Sequence, residues 1–147
     1  MVLQETWLRT GTIRDNIIMG KPDATEEEII AAAKASHAHS FIRRLPKGYD
    51  TWITEDGGNL SQGQKQLMTI ARAMLLNAQM LILDEATSAL DEATEVAVLQ
   101  GLRALEPRPT CLLITHRKGV LKYCDRELCI REGSVTEECS TTTICTA

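Results

Sequence analysis

Two adjacent carboxylates, Asp84 and Glu85, end the apolar run Met80-Leu81-Ile82-Leu83. Carboxylates in that position are not expected to be deeply buried, because unpaired charge is expensive to desolvate. Such a pair at a strand end has a specific use. A magnesium ion bridging phosphates takes hard oxygen ligands, and one carboxylate supplies them. Its neighbour can orient or deprotonate an attacking water. Taken alone, the pair fits a helix cap or a surface turn equally well. His116 follows a second strand-like run, Thr110 to Ile114, and occupies the same kind of strand-end position.

The elements that must position these groups are legible from spacing and caps. Met80 to Leu83 is apolar on both faces, which predicts a central strand covered on each side. Asp91 can cap a following helix whose apolar face is Val96, Leu99, Leu102 and Leu105, before Pro107. Ser61 and Gln64 form a capping box opening a helix to about Leu76, with Leu67, Ile70, Ala71, Met74 and Leu75 as its buried stripe. Upstream, Thr10 to Thr12 reads as a turn, and Ile13, Ile17 and Ile18 repeat at helical spacing. Thr25 and Glu28 form another capping box, and a short helix is predicted from about Ala38 to Leu45, stopped by Pro46. Asp56 to Asn59 is a loop, and Leu128 to Ile130 with Ser134 to Glu137 reads as a terminal hairpin around Gly133. Strand, helix and strand with polar residues at strand ends is the pattern of an open α/β sheet. Ligands of such sheets sit outside the carboxyl ends of the strands.

Read together, these residues resemble the ATP-binding cassette (ABC) ATPases. Leu60-Ser61-Gln62-Gly63-Gln64 is similar to their LSGGQ signature, Leu81 to Glu85 to the end of their Walker B strand, and Ser88 to Asp91 to their D-loop. His116 is similar to their switch histidine, and Gln4 to their Q-loop glutamine. Gly11 to Ile17 and Gly48-Tyr49-Asp50-Thr51 resemble the exporter branch. The likeness runs from about residue 2 to 138 in the right order, and LSxGQ with LDEATSALD is highly specific.

The resemblance implies an α/β fold, a partial P-loop NTPase (ABC ATPase) fold with a helical signature subdomain over about residues 12–77. It implies ATP and magnesium (Mg2+) as cofactors of the complete domain. Asp84 would hold the magnesium, through water, with Gln4 completing the magnesium and water environment and sensing the transmembrane partner. Glu85 would be the general base. His116 would contact the γ-phosphate and steady the water. Ser61, Gln62, Gly63 and Gln64 open a helix, where free amides and the helix dipole favour an anion. In the family this site grips ATP bound to the opposite subunit, with Gly63 leaving room for the phosphate and Asp91 working across the same interface. The implied partners are a second nucleotide-binding domain in a head-to-tail dimer and the transmembrane domains of an exporter, at the cytoplasmic face of the cell membrane. Departures are Gln62, where glycine is commoner, and Arg117-Lys118-Gly119, where exporters usually have Arg-Leu-Ser.

No GxxxxGKS/T phosphate loop occurs in the 147 residues. The chain is therefore expected to be the C-terminal part of such a domain and, alone, inactive and prone to aggregate through an exposed sheet edge and apolar face. A different class of function stays open: a non-catalytic module lending its signature helix in trans to a partner ATPase. A soluble DNA-repair ATPase is disfavoured, because only a compact helical segment separates Gln4 from Leu60.

Composition fits this frame. The chain is 44% hydrophobic and 24% charged, with a net charge of -4, which argues against a nucleic-acid partner. Arg43, Arg44 and Lys47 form a small basic patch, for which a solvated helix end is the preferred explanation. Five cysteines, odd in number and without a CxxC pair, read as free thiols in a reducing compartment. One domain over 1–138 and a disordered tail over 139–147 are expected, the tail being Cys, Ser and Thr without charge.

Overall fold

Capping boxes set where helices of the first half begin: Thr12 with Asp15, Thr25 with Glu28 and Ser61 with Gln64. Each hydroxyl accepts an amide of the first turn while the acidic or amide side chain returns to the cap's own N–H. They open α1 (Ile13–Ile17), α2 (Glu26–Ala35) and α4 (Gln62–Leu75). The computed structural model describes residues 1–3, 6–131 and 134–138. It resolves into two compact units, Met1–Ile114 and Thr115–Ala147.

In the first unit, α1 and α2 both pack on α4, whose buried face is Gln66, Leu67, Met68, Ile70, Ala71, Met74 and Leu75. Fully buried Ile13, Ile17, Ile42, Ile53 and Leu8 complete this helical core. A polar hub fixes its entrance. The buried Asn16 accepts from the Arg9 amide at 2.9 Å and donates to the carbonyls of Arg9 and Thr12. From α4, Arg72 reaches the Asn16 carbonyl at 2.8 Å.

Two expectations are corrected here. Gly11–Thr12 is not a free turn but a two-residue strand, β1, antiparallel to β2 (Trp52–Ile53). The helix expected over 38–45 is only α3 (His39–Ile42), because the chain tightens into i→i+3 bonds at Arg44 and Leu45 ahead of Pro46.

β3 (Met80–Asp84) lies parallel to β4 (Thr110–Ile114), in register from Met80 opposite Thr110 to Asp84 opposite Ile114. On its other side β3 bridges to Val2, whose amide donates to the Ile82 carbonyl at 2.7 Å. α5 (Glu92–Arg103), capped by Asp91, connects the two strands in sequence. β3 is thus paired on both edges, but it is not covered on both faces. Leu81 and Leu83 are buried, whereas Met80 is 56% exposed. Alternate side chains leave opposite faces of a strand; the face of Leu81 and Leu83 is packed, and the other, with Ile82 half-buried, is covered only in part. Leu112 and Ile114 of β4 are also exposed, so the expected open apolar face is present.

The buried stripe of α5 is Glu95, Val98, Leu99 and Leu102, so the assignment of Val96 and Leu105 is corrected. The face turned inward is rotated toward Thr87, with which Glu95 bonds.

The second unit holds a 3₁₀ segment, Lys118–Tyr123, with Val120 buried, and the expected hairpin. Its strands are β5 (Glu127–Arg131) and β6 (Ser134–Glu138), antiparallel. Gly133 and the tail 139–147 lie outside the described residues. Among the described residues, Cys111, Cys124 and Cys129 form no disulfide.

Candidate functional site

The site begins at the end of β3. Asp84, half-buried, closes the strand with its amide on the Val2 carbonyl at 2.9 Å. The amide of Glu85 still bonds across to the Ile114 carbonyl at 3.0 Å. Its own backbone then leaves the ladder, with φ at 46°. A glutamate in the left-handed region is uncommon and costs about 1–2 kcal/mol. At this φ the backbone leaves the extended conformation, so Glu85 no longer follows the strand's alternation.

The next six residues are held as a unit. Ser88 donates its amide to the Glu85 carbonyl and Leu90 to that of Thr87, both at 3.0 Å. From one side, the buried Thr87 hydroxyl donates to the buried Glu95 carboxylate at 2.5 Å. From the other, Gln66 of α4 donates to the Ser88 hydroxyl and accepts from the Ala89 amide, each at 3.0 Å. The segment ends at Asp91, which accepts from the Thr94 amide at 3.0 Å and its hydroxyl at 2.8 Å. Those donors hold the Asp91 carboxyl below the usual carboxylate range.

The start of α4 forms the second part. Ser61 Oγ accepts from the Gln64 amide at 3.2 Å, and Gln64 Oε1 accepts from that of Ser61 at 2.9 Å. The amides of Gln62 and Gly63 are left without an intrahelical acceptor, the arrangement that favours an anion. Gln62 is exposed, and its side-chain Nε2 donates to the Thr6 hydroxyl at 3.3 Å, which explains how a side chain is accommodated there. Gly63 has a reason that spacing did not show. A Cβ there would stand 3.0 Å from the Ala89 carbonyl and 3.4 Å from Leu90.

The first unit therefore brings together Asp84, Glu85, Asp91 and the Ser61–Gln64 turn through one segment, residues 86–91. His116 belongs to the second unit, two residues past β4 and exposed. Gln4 lies outside the described residues. Gln66, Thr87 and Glu95 were missed by sequence reasoning. For Gln66 and Glu95 a signal existed, since each is a polar residue at the spacing of a buried helical stripe. The donor set at Asp84 and Glu85, hard carboxylate oxygens at a half-open strand end, fits magnesium.

The family model described as ABC transporter matches residues 1–88. The fatty acid ABC transporter ATP-binding/permease protein of Mycobacterium tuberculosis is 47% identical over 93% of this chain and 22% of its own length. A putative multidrug export ATP-binding/permease protein of Bacillus subtilis is also 47% identical, over 93% of this chain and 24% of its own. A solved bacterial Atm1-family ABC exporter with ATP bound superposes with a TM-score of 0.82 at 40% identity, covering 89% of this chain and 23% of that one. The chain spans less than a quarter of the length of these relatives. It belongs to the ABC transporter family and corresponds to part of an exporter-type ATP-binding domain.

Proposed function

We propose that, within a complete exporter, this chain supplies the hydrolytic and signature portions of a nucleotide-binding domain and couples ATP binding and hydrolysis to transport. The observation that carries the reading is the left-handed Glu85 beside Asp84 at the end of β3, on a segment pinned from both sides. Residues 1–138 would form one partial domain, with the helical subdomain over about 12–77. It would sit at the cytoplasmic face of the membrane, against transmembrane domains and a second nucleotide-binding domain.

Magnesium, when bound, would offset the charge that builds during phosphoryl transfer. Asp84 would hold it through water, with Gln4 in the same environment. Glu85 would take the proton of the attacking water, its carboxylate aimed by the turned backbone. His116 would hold the γ-phosphate by a hydrogen bond. Ser61, Gln62, Gly63 and Gln64 would present the start of α4 to ATP on the opposite subunit, with Asp91 at the same interface.

The test is Glu85→Gln in the complete transporter. Nucleotide should still bind, while turnover drops by about a hundredfold or more. Wild-type turnover in that variant would remove Glu85 from the chemistry. A second reading is a non-catalytic module that lends its signature helix in trans to a partner ATPase, supported by the open amides at the start of α4. Calorimetry of the 147-residue chain with magnesium-ATP should show no saturable heat. Saturable binding would mean that the Asp84 face captures nucleotide unaided.

A further inference from the structure

At the corner between α2 and α3, Lys34, His37, His39, Ser40, Arg43 and Arg44 line a cavity of about 510 Å³. The corner turns on His37, whose φ is 64°, and Ser40 Oγ donates to the His37 carbonyl at 2.9 Å. His39 is anchored through Nδ1, 2.8 Å from the Tyr49 hydroxyl. Sequence proximity groups Arg43 and Arg44 with Lys47. The fold instead sets them opposite Lys34 and two histidines.

Like charges gathered in one concavity repel unless a counter-charge is present. The same helical region shows how its other cations are treated. Arg14 pairs with Glu26 and Asp50, and Lys21 with Glu28 at 2.5 Å. Among the described residues, no carboxylate pairs with Lys34, Arg43 or Arg44. This happens in a chain whose net charge is -4. His39 reports the local field: burial first, then Lys34 and Arg43, holds its imidazole below the usual histidine range.

We propose that this corner is a binding site for a phosphate-type anion, built from Lys34, Arg43 and Arg44 with the two imidazoles. Two guanidinium forks and an ammonium offer donors in several directions. A tetrahedral, multiply charged anion has oxygens to meet all of them, whereas a planar carboxylate occupies one fork. The volume lies within the roughly 300–1,000 Å³ of small-ligand sites, enough for a pyrophosphate group. None of these residues takes part in the proposed ATP chemistry, so the two readings stand or fall separately.

The test titrates inorganic pyrophosphate into the full 147-residue chain and follows the imidazole C2 protons of His37 and His39. Saturable shifts are expected, with the His39 pKa rising on binding and the affinity falling as salt is added. The Arg43→Gln/Arg44→Gln variant should bind about tenfold more weakly or worse. Both side chains are exposed, so the fold should survive. Should it not, Lys34→Gln on the opposite wall replaces it. A second arm sediments the chain with phosphatidylcholine vesicles, with and without phosphatidylglycerol. Binding that needs phosphatidylglycerol and the arginines, without a pyrophosphate response, assigns the anion to a lipid headgroup. A pyrophosphate response alone assigns it to a soluble phosphate. Affinity unchanged in the variants, or no saturable response in either arm, overturns the proposal.

Discussion

Gln66 donates to the Ser88 hydroxyl at 3.0 Å while its carbonyl oxygen accepts from the next amide, that of Ala89, at the same distance. Both ends of one buried side chain are spent on holding the segment after Glu85 against α4. Motion of the α4 start and of the Glu85 turn is thereby tied together, which is what a signature helix and a hydrolytic strand end require if they are to act as one surface.

Gln66→Leu keeps the volume and removes both bonds. The Ala89 amide loses its acceptor at an exposed residue, where water can take its place, so the lost bonds cost about 0.5–1.5 kcal/mol. Urea unfolding of the chain should show a lower midpoint with an unchanged slope. An unchanged midpoint would mean that the segment is held by Thr87 and Glu95 alone.

Gly101 is demanded by packing between helices. A Cβ there would run into the carbonyl of Ala35, where α5 crosses α2. Gly101→Ala gains about 1 kcal/mol of helix propensity. Overpacking against backbone costs about 1–3 kcal/mol or more, because a carbonyl cannot rotate away as a side chain can. The variant should be net destabilised in the same unfolding experiment. A raised midpoint for Gly101→Ala would show that α2 and α5 separate freely.

Much of this was legible from spacing. The capping residues at Thr25, Ser61 and Asp91 announced their helices, and the apolar run ending at Asp84 announced β3. These are local signals, set by hydrogen bonds within one turn or by alternation within one strand. What stayed hidden depends on contacts distant in sequence. Nothing near Gly11 declares that it pairs with Ile53. Nothing near Gly63 declares that Ala89 lies against it, so its glycine was attributed to phosphate approach alone. Lys34 and Arg43 became neighbours only through the left-handed turn at His37.

Acid should loosen the helix starts. The Asp15 carboxyl is held low by the Thr12 hydroxyl and amide, that of Glu28 by Lys21 and the Thr25 amide, and that of Asp91 by Thr94. A depressed folded pKa gives stability that is present above the unfolded value, about 4 for these carboxyls. That stability is lost as pH falls through the folded values. The urea midpoint should be level from neutral pH to about pH 5 and decline below about pH 4. Asp91→Asn, which caps without titrating, should make the decline shallower. An equally steep decline in that variant would exclude Asp91 as a contributor.

Glu85 separates stability from catalysis. Its φ of 46° is a conformation that glycine adopts freely and glutamate does not. Glu85→Gly should relieve about 1–2 kcal/mol of backbone strain, partly offset by about 0.5–1 kcal/mol of extra chain entropy in the unfolded state. The unfolding midpoint should therefore rise slightly or hold, while hydrolysis by the complete transporter collapses. Glu85→Gln keeps the strain and should therefore gain none of that relief, yet lose hydrolysis to a similar degree. Glu85→Val places a β-branched residue at the same φ and should destabilise the chain. The three variants then sort along different axes: backbone tolerance orders their stabilities, and the presence of a carboxylate alone orders their rates. If Glu85→Gly were less stable than Glu85→Gln, the left-handed turn would not be a strained feature. The aim of the carboxylate would then have to come from Gln66 and Glu95 holding the segment behind it.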